Sequence, residues 1–142
     1  MTAKEFLQQA FRIDQRINAK LEQIASLREL ATKATATLSD TPFGGTRSIH
    51  KMEDIITKMV DLETEINHDI DALMDLKREI VSVIKQIENP EYQTLLELRY
   101  LCFKVWEQIA VDMTYSIQNV YKLHDRALAS ASEFLKTEQR VE

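Results

Sequence analysis

Between Trp106 and Leu128 the chain reads WEQIAVDMTYSIQNVYKLHDRAL. Ser116, Gln118, Asn119, Tyr121 and Lys122 crowd into one short run. Their amide, hydroxyl and ammonium groups suit the edges of base pairs: Gln or Asn can bond adenine N6 and N7, and Lys can donate to guanine O6 and N7. Arg126 downstream, with Lys104 and Arg99 upstream, supplies cations of the kind that hold phosphates. The chemistry such a set would perform is recognition of double-stranded DNA. Asp125 opposes it, because one turn beyond Tyr121 it would face the same groove and repel phosphates unless it accepts from cytosine or pairs with Lys122. The plain alternative is an ordinary solvated helix face.

Other chemistry is thinly represented. His50, His68 and His124 lie far apart and have no ligand spacing with Cys102, so no metal site is expected. Cys102, between Leu101 and Phe103, reads as a small buried hydrophobe rather than a nucleophile. Glu91, Glu97 and Glu107 fall on polar faces, with no pocket that would pair carboxylates. Gly44-Gly45 lacks the rest of a phosphate-binding loop. Trp106 reads as a core plug in preference to a base-stacking platform. An enzyme is not expected, nor is any cofactor.

The charge balance tempers the DNA reading. The 142 residues carry a formal net charge of −5. Residues 1–41 hold six Lys/Arg against five Asp/Glu, residues 42–89 six against ten, and residues 90–142 six against eight. No segment is strongly basic, whereas counterion release from phosphates normally supplies much of the affinity for nucleic acid. One cysteine fits a reducing compartment, no apolar run is long enough for a membrane span, and Lys4, Glu5 and Arg12 interrupt any leader-like core. A cytoplasmic protein, in the cytoplasm of a host cell, is expected.

The elements that would position these residues follow from two breaks. The two glycines and two prolines all fall in TPFGGTR, Thr41–Arg47, or in Asn89-Pro90. Glycine and proline cost about 1 and 3 kcal/mol inside a helix, so their scarcity elsewhere predicts long uninterrupted helices. In the first piece Ala3, Phe6, Ala10, Ile13, Ile17, Ile24, Leu27, Ala31, Ala34 and Leu38 recur at steps of three and four, interrupted at Lys20. In the second, Met52, Ile55, Met59, Leu62, Ile66, Leu73, Leu76, Ile80, Val83 and Ile87 do the same, interrupted at Asp69. Two helices of this length, each roughly 55 Å at 1.5 Å per residue, predict an antiparallel coiled-coil hairpin over residues 1–89. Folded about the Gly-Gly loop, the hairpin brings Lys20 and Asp69 opposite one another, either as a register-fixing pair or as two side chains that reach outward and never meet. Leu7, Leu21 and Leu30, with Ile56, Ile70, Met74 and Ile84, widen the apolar stripe beyond the seam. A further helix must cover it, from the C-terminal block or a second chain, and a homo-oligomer is expected.

After Pro90 the pattern shortens, and residues 90–142 read as a second domain. Glu91–Leu101 forms one helix with Leu95, Leu96, Tyr100 and Tyr92 inward. Cys102-Phe103-Lys104 turns, and Trp106–Met113 forms a second helix. Thr114-Tyr115 turns again, and Ser116 caps a third helix that buries Val120, Leu123, Ala127, Leu128, Ala131 and Phe134. The spacing is that of a helix-turn-helix. Ile109-Ala110 admits a close crossing, Met113 fills the corner, and Val120 and Leu123, ten and thirteen residues after the alanine, pack back. Thr114 departs from the pattern, since a glycine in a left-handed conformation usually follows such a corner. Either the turn takes another shape or it stores about 1–2 kcal/mol of strain.

LLELRYLCFKVWEQIAVDMTYSIQNVYKLHDRAL resembles the C-terminal helix-turn-helix of sigma-70 region 4: a leucine-arginine-tyrosine helix, a Trp-Glu-x-Ile-Ala helix and a Ser-x-x-x-Val-x-x-Leu-His recognition helix. MTAKEFLQQAFRIDQRI, LRELATKATATLSDTP and NPEYQTLLELRYL extend the resemblance to small phage and prophage proteins of Gram-positive bacteria, similar to late-operon activators of the RinA and ArpU type. Thr114 and Asp125 are departures. The resemblance implies an all-α phage protein whose sigma region 4-like helix-turn-helix binds promoter or operator DNA to regulate transcription. Two other readings remain open. One is an interaction module that binds RNA polymerase or a repressor without touching DNA; the other is a protein akin to a small terminase subunit.

Overall fold

The computed structural model describes the backbone over residues 1–38 and 45–141, with side chains over residues 1–36 and 49–135. The described residues are mostly helical, and no strand occurs among them, as an all-α chain requires. The helices are α1 (Ala3–Leu38), α2 (Gly45–Gln86), α3 (Pro90–Leu96), a π-helical turn (Glu97–Leu101), α4 (Trp106–Met113) and α5 (Ile117–Val141). The expected Gly-Gly turn falls largely outside the described residues, as does the Leu38 side chain.

Local chemistry sets the ends of these helices. Thr2 and Glu5 form a reciprocal capping box: the Glu5 N–H donates to Thr2 Oγ1 and the Thr2 N–H to a Glu5 carboxylate oxygen, each at 3.2 Å. The Asn89 side chain accepts from the Glu91 N–H at 2.9 Å, and Pro90 occupies the first helical position, where a missing N–H costs nothing. Gln93 Nε2 donates to the Ile87 carbonyl at 2.6 Å, so α3 satisfies the end of α2. The Asn-Pro break is thereby stitched on both sides.

The chain divides into two compact units. Met1–Ile13 joins Leu73–Glu142 in one, and Asp14–Ala72 forms the other. The first unit holds the main core. Leu7, Ile80, Ile84, Ile87, Leu95, Leu96, Ile109 and Val120 are fully buried there, with Ala3, Ala10, Val83, Tyr100, Ala110, Ala127 and Ala131 around them. Each large aliphatic side chain so buried contributes about 1.5–3 kcal/mol. Leu7 and Ile84, from the stripe expected to need a cover, are covered by this C-terminal block, whereas Leu21, Leu30, Ile56, Ile70 and Met74 stay exposed.

In the second unit Ile17, Ile24 and Ile66 are buried where the three-and-four spacing places them. Lys20 and Asp69 do meet. Lys20 Nζ lies 2.6 Å from Asp69 Oδ2, both side chains being largely covered, and Arg16 approaches the other carboxylate oxygen at 3.6 Å. Of the two sequence readings of these charges, the paired one is correct.

Candidate nucleic-acid interface

The π-helical turn is the first device that shapes this region. The Cys102 N–H bonds back to the Glu97 carbonyl at 3.0 Å, a five-residue step, and Phe103 then takes a left-handed φ of 58°. Neither was expected at Cys102-Phe103-Lys104. One correction follows: Cys102 is exposed, because the turn ends at it and the apolar side chains on either side are the ones drawn toward the core. The widened turn sets Arg99 above Trp106, its guanidinium carbon 4.4 Å from the ring centroid, and Arg99 also donates to the Lys104 carbonyl at 2.9 Å.

The α4–α5 junction follows the sequence expectation closely. Ile109 and Ala110 are buried, Met113 is half-buried, and Thr114 takes φ 57°, ψ 40°. Of the two alternatives for Thr114 the strained one holds, because its left-handed geometry turns the chain so that the Tyr115 N–H reaches back to the Ala110 carbonyl at 3.0 Å. Ser116 Oγ accepts from the Asn119 N–H at 3.2 Å, and α5 begins there. Val120 is fully buried against this frame, and Leu123 half-buried.

Ser116, Gln118, Asn119, Tyr121, Lys122, Asp125 and Arg126 are all exposed. They divide between two sides of α5. Asn119, Lys122 and Arg126, at helical steps, line a cleft of about 150 Å³ with Glu91, Tyr115 and Leu123. The Tyr115 hydroxyl donates to Glu91 at 2.7 Å, and the bond keeps the phenol proton in place by raising its pKa. Tyr121 stands on the other side, edge-on to Trp106 with ring centroids 5.5 Å apart.

The two upstream cations are less available. Lys104 Nζ lies 2.6 Å from Asp112 Oδ2; the shared bond raises the pKa of the ammonium and lowers that of the carboxylate. Arg99 is half-buried in its stack on Trp106. Both candidates for phosphate contact therefore already hold protein partners.

Sequence reasoning missed a buried pair. His124, 6% exposed, meets the Tyr100 hydroxyl at 2.6 Å and packs 4.6 Å from the Trp106 centroid. Burial drives the His124 pKa down to about 4; Asp125 raises it, and Lys4 and Arg99 lower it. Burial likewise lifts Tyr100 to about 12, against the nearby Arg99 charge. With the phenol protonated and the imidazole neutral, Tyr100 donates and His124 Nε2 accepts. The signal was present, since Val120, His124, Ala127 and Ala131 share the four-three-four spacing of one buried face.

Trp106 is half-buried between Arg99, Tyr121 and His124, consistent with a packing role. Among the described residues no three His, Cys, Asp or Glu side chains gather in a way that could hold a metal ion, and no helix is long and apolar enough to cross a membrane. No curated protein and no solved structure matches the chain. The model of one family, described as "Protein of unknown function (DUF1492)", matches residues 32–131. With that match spanning well over half of its length, the chain belongs to this family.

Proposed function

We propose that the protein is a DNA-binding transcriptional regulator, in which α4, its left-handed corner and α5 act as a sigma region 4-like helix-turn-helix. Residues 90–142 read promoter or operator DNA, and residues 1–89, as an antiparallel coiled-coil hairpin, bring two or more copies together. The resemblance to phage late-operon regulators gives the reading its biological setting. Its main structural support is the α4–α5 junction: buried Ile109-Ala110 and Val120 around a three-residue turn, with Ser116 capping a helix whose first two turns present Gln118, Asn119, Tyr121 and Lys122 outward. Those four residues read base edges in this proposal. Arg126 and the main-chain N–H groups at the start of α5 hold phosphate, with Lys104 and Arg99 contributing after exchange of their present partners.

The test is binding to duplex fragments of the genome that encodes the protein, across a salt series. Gln118→Ala and Lys122→Ala should each cost about 1–3 kcal/mol on the preferred site and leave the melting temperature nearly unchanged. Asp125→Lys should strengthen binding to any duplex and steepen its salt dependence. A wild type with no saturable binding at low salt, and an Asp125→Lys variant that acquires none, would end the DNA reading.

A second reading, contact with a protein such as RNA polymerase or a repressor, is favoured by one observation. The cations at Lys104 and Arg99 already hold protein partners, while Asp125 stands exposed beside the candidate base-reading residues. Binding that persists at high salt toward a protein, and is lost in Asp125→Lys, selects it.

A further inference from the structure

Three polar side chains stand in line along the solvent side of α4. Lys104, Gln108 and Asp112 follow one another at steps of four, the spacing that makes neighbours on a helix surface. Lys104 lies just ahead of α4, and its main chain is pinned there: its N–H donates to the Leu98 carbonyl at 3.1 Å, and its carbonyl accepts from Arg99 at 2.9 Å. From that anchored position the ammonium reaches Asp112 Oδ2 at 2.6 Å, while the Gln108 side-chain amide donates to Asp112 Oδ1 at 2.8 Å. One carboxylate thus gathers two donors, one on each oxygen.

A phosphodiester makes the same demand. It offers two close oxygens that share one negative charge, and it suits an ammonium and an amide set side by side. The carboxylate is therefore a chemical stand-in for a backbone phosphate, and its place in the fold fits that part. The Arg99 that bonds the Lys104 carbonyl stacks on Trp106, whose ring meets Tyr121 edge to face at 5.5 Å. An unbroken line of contacts leads from Lys104 to the flank of α5, where the phosphates bordering an occupied groove would run. The Lys104 and Asp112 side chains keep 38% and 27% of their surface exposed, within reach of a ligand. An ion pair so placed adds little to stability. It does hold a flexible lysine in one conformation before any ligand arrives.

We propose that Lys104 and Gln108 form a clamp for one phosphate of the DNA backbone, and that the Asp112 carboxylate occupies the place of that phosphate until a duplex displaces it. The proposal rests on the DNA reading above and adds to it the backbone contact on the α4 side of α5 and the residue that restrains it. Asp112 is both template and brake: it keeps the two donors together, and once displaced it remains beside the phosphate as a like charge.

The test uses the full-length chain, with one duplex carrying the preferred site and one unrelated duplex, across a chloride series. Asp112→Asn should tighten binding to both duplexes about threefold to tenfold at low salt and steepen the salt slope by about 0.9, the share of one phosphate contact. Lys104→Met alone should weaken binding, and added to Asp112→Asn it should abolish both gains. Melting temperatures should change little. Inorganic phosphate in place of chloride, at equal ionic strength, should leave the gain intact, because a free ion lacks the neighbouring charges of a backbone; loss of the gain in phosphate would overturn the assignment to DNA. Equal gains with and without Lys104 would make Asp112 a distant charge only, and unchanged binding with a lowered melting temperature would make the pair a staple of the turn. Either result ends the clamp and leaves the DNA reading standing. No saturable binding by the parent or by Asp112→Asn removes both.

Discussion

Thr114 holds its left-handed backbone because the turn between α4 and α5 needs it, and a β-branched residue pays about 1–2 kcal/mol there. Part of that cost is returned by the bond from Thr114 Oγ1 to the Met113 carbonyl at 2.6 Å. Thr114→Gly should therefore stabilise the protein by a net of only about 0.5–1 kcal/mol, since glycine also loosens the unfolded chain. Thr114→Asn should gain a similar amount, and thermal unfolding of the two variants checks the point; a fall in the midpoint for both would show that the turn is not strained. His124 makes a second, pH-dependent prediction. Its folded pKa of about 4 lies below the ordinary 6.5, so between those values the unfolded chain binds the extra proton and the folded chain does not. Stability is full above about pH 6.5 and declines as pH falls toward 4, by about 3 kcal/mol in total. His124→Gln should flatten the unfolding free energy over that window, and an unchanged slope would show that His124 is not the group being titrated.

The pairing of α1 with α2 in the Asp14–Ala72 unit depends on one charged layer as well as on apolar ones. Lys20, first by its hydrogen bond, holds the Asp69 carboxyl below the usual carboxylate range even though burial pushes the other way. Because the folded pKa is depressed, this contribution is present above the ordinary carboxylate value and is lost as pH falls through the folded one. Lys20→Ala and Asp69→Ala should be non-additive, with a coupling of about 1 kcal/mol in chemical denaturation; additivity within about 0.3 kcal/mol would mean that the pair contributes nothing as a pair. Arg16 should soften the single Lys20→Ala change by remaining 3.6 Å from the carboxylate. This layer was legible in the sequence, because the two interruptions in otherwise regular repeats stand at mirrored distances from the glycines. The π-helical turn was not. A five-residue hydrogen-bond step has no compositional mark, and the left-handed Phe103 contradicts the local preference of its residue type. The capture of Arg99 by Trp106 and of Lys104 by Asp112 follows from that turn, so the engagement of two candidate phosphate contacts was equally hidden.

In the whole chain, the same three-and-four periodicity that marked the buried faces of α1 and α2 could not reveal that Ala3, Leu7 and Ala10 share a core with Val120, Ala127 and Ala131. Periodicity tells which side of a helix is covered, and is silent on which distant element covers it. Removing residues 1–13 should accordingly expose Ile80 and Ile84 and destabilise the C-terminal block; protease resistance of α4 and α5 that survives the truncation would refute this. That core, drawn from two segments separated by the whole of Asp14–Ala72, also constrains the order of events during synthesis. Asp14–Ala72 is contiguous and can form soon after it clears the ribosome. The unit built from Met1–Ile13 and Leu73–Glu142 must wait, with its first helical turns already made, until α5 has been synthesised. Its high contact order makes it the slower partner, and the apolar side of those waiting turns is the part of the nascent chain most in need of a chaperone.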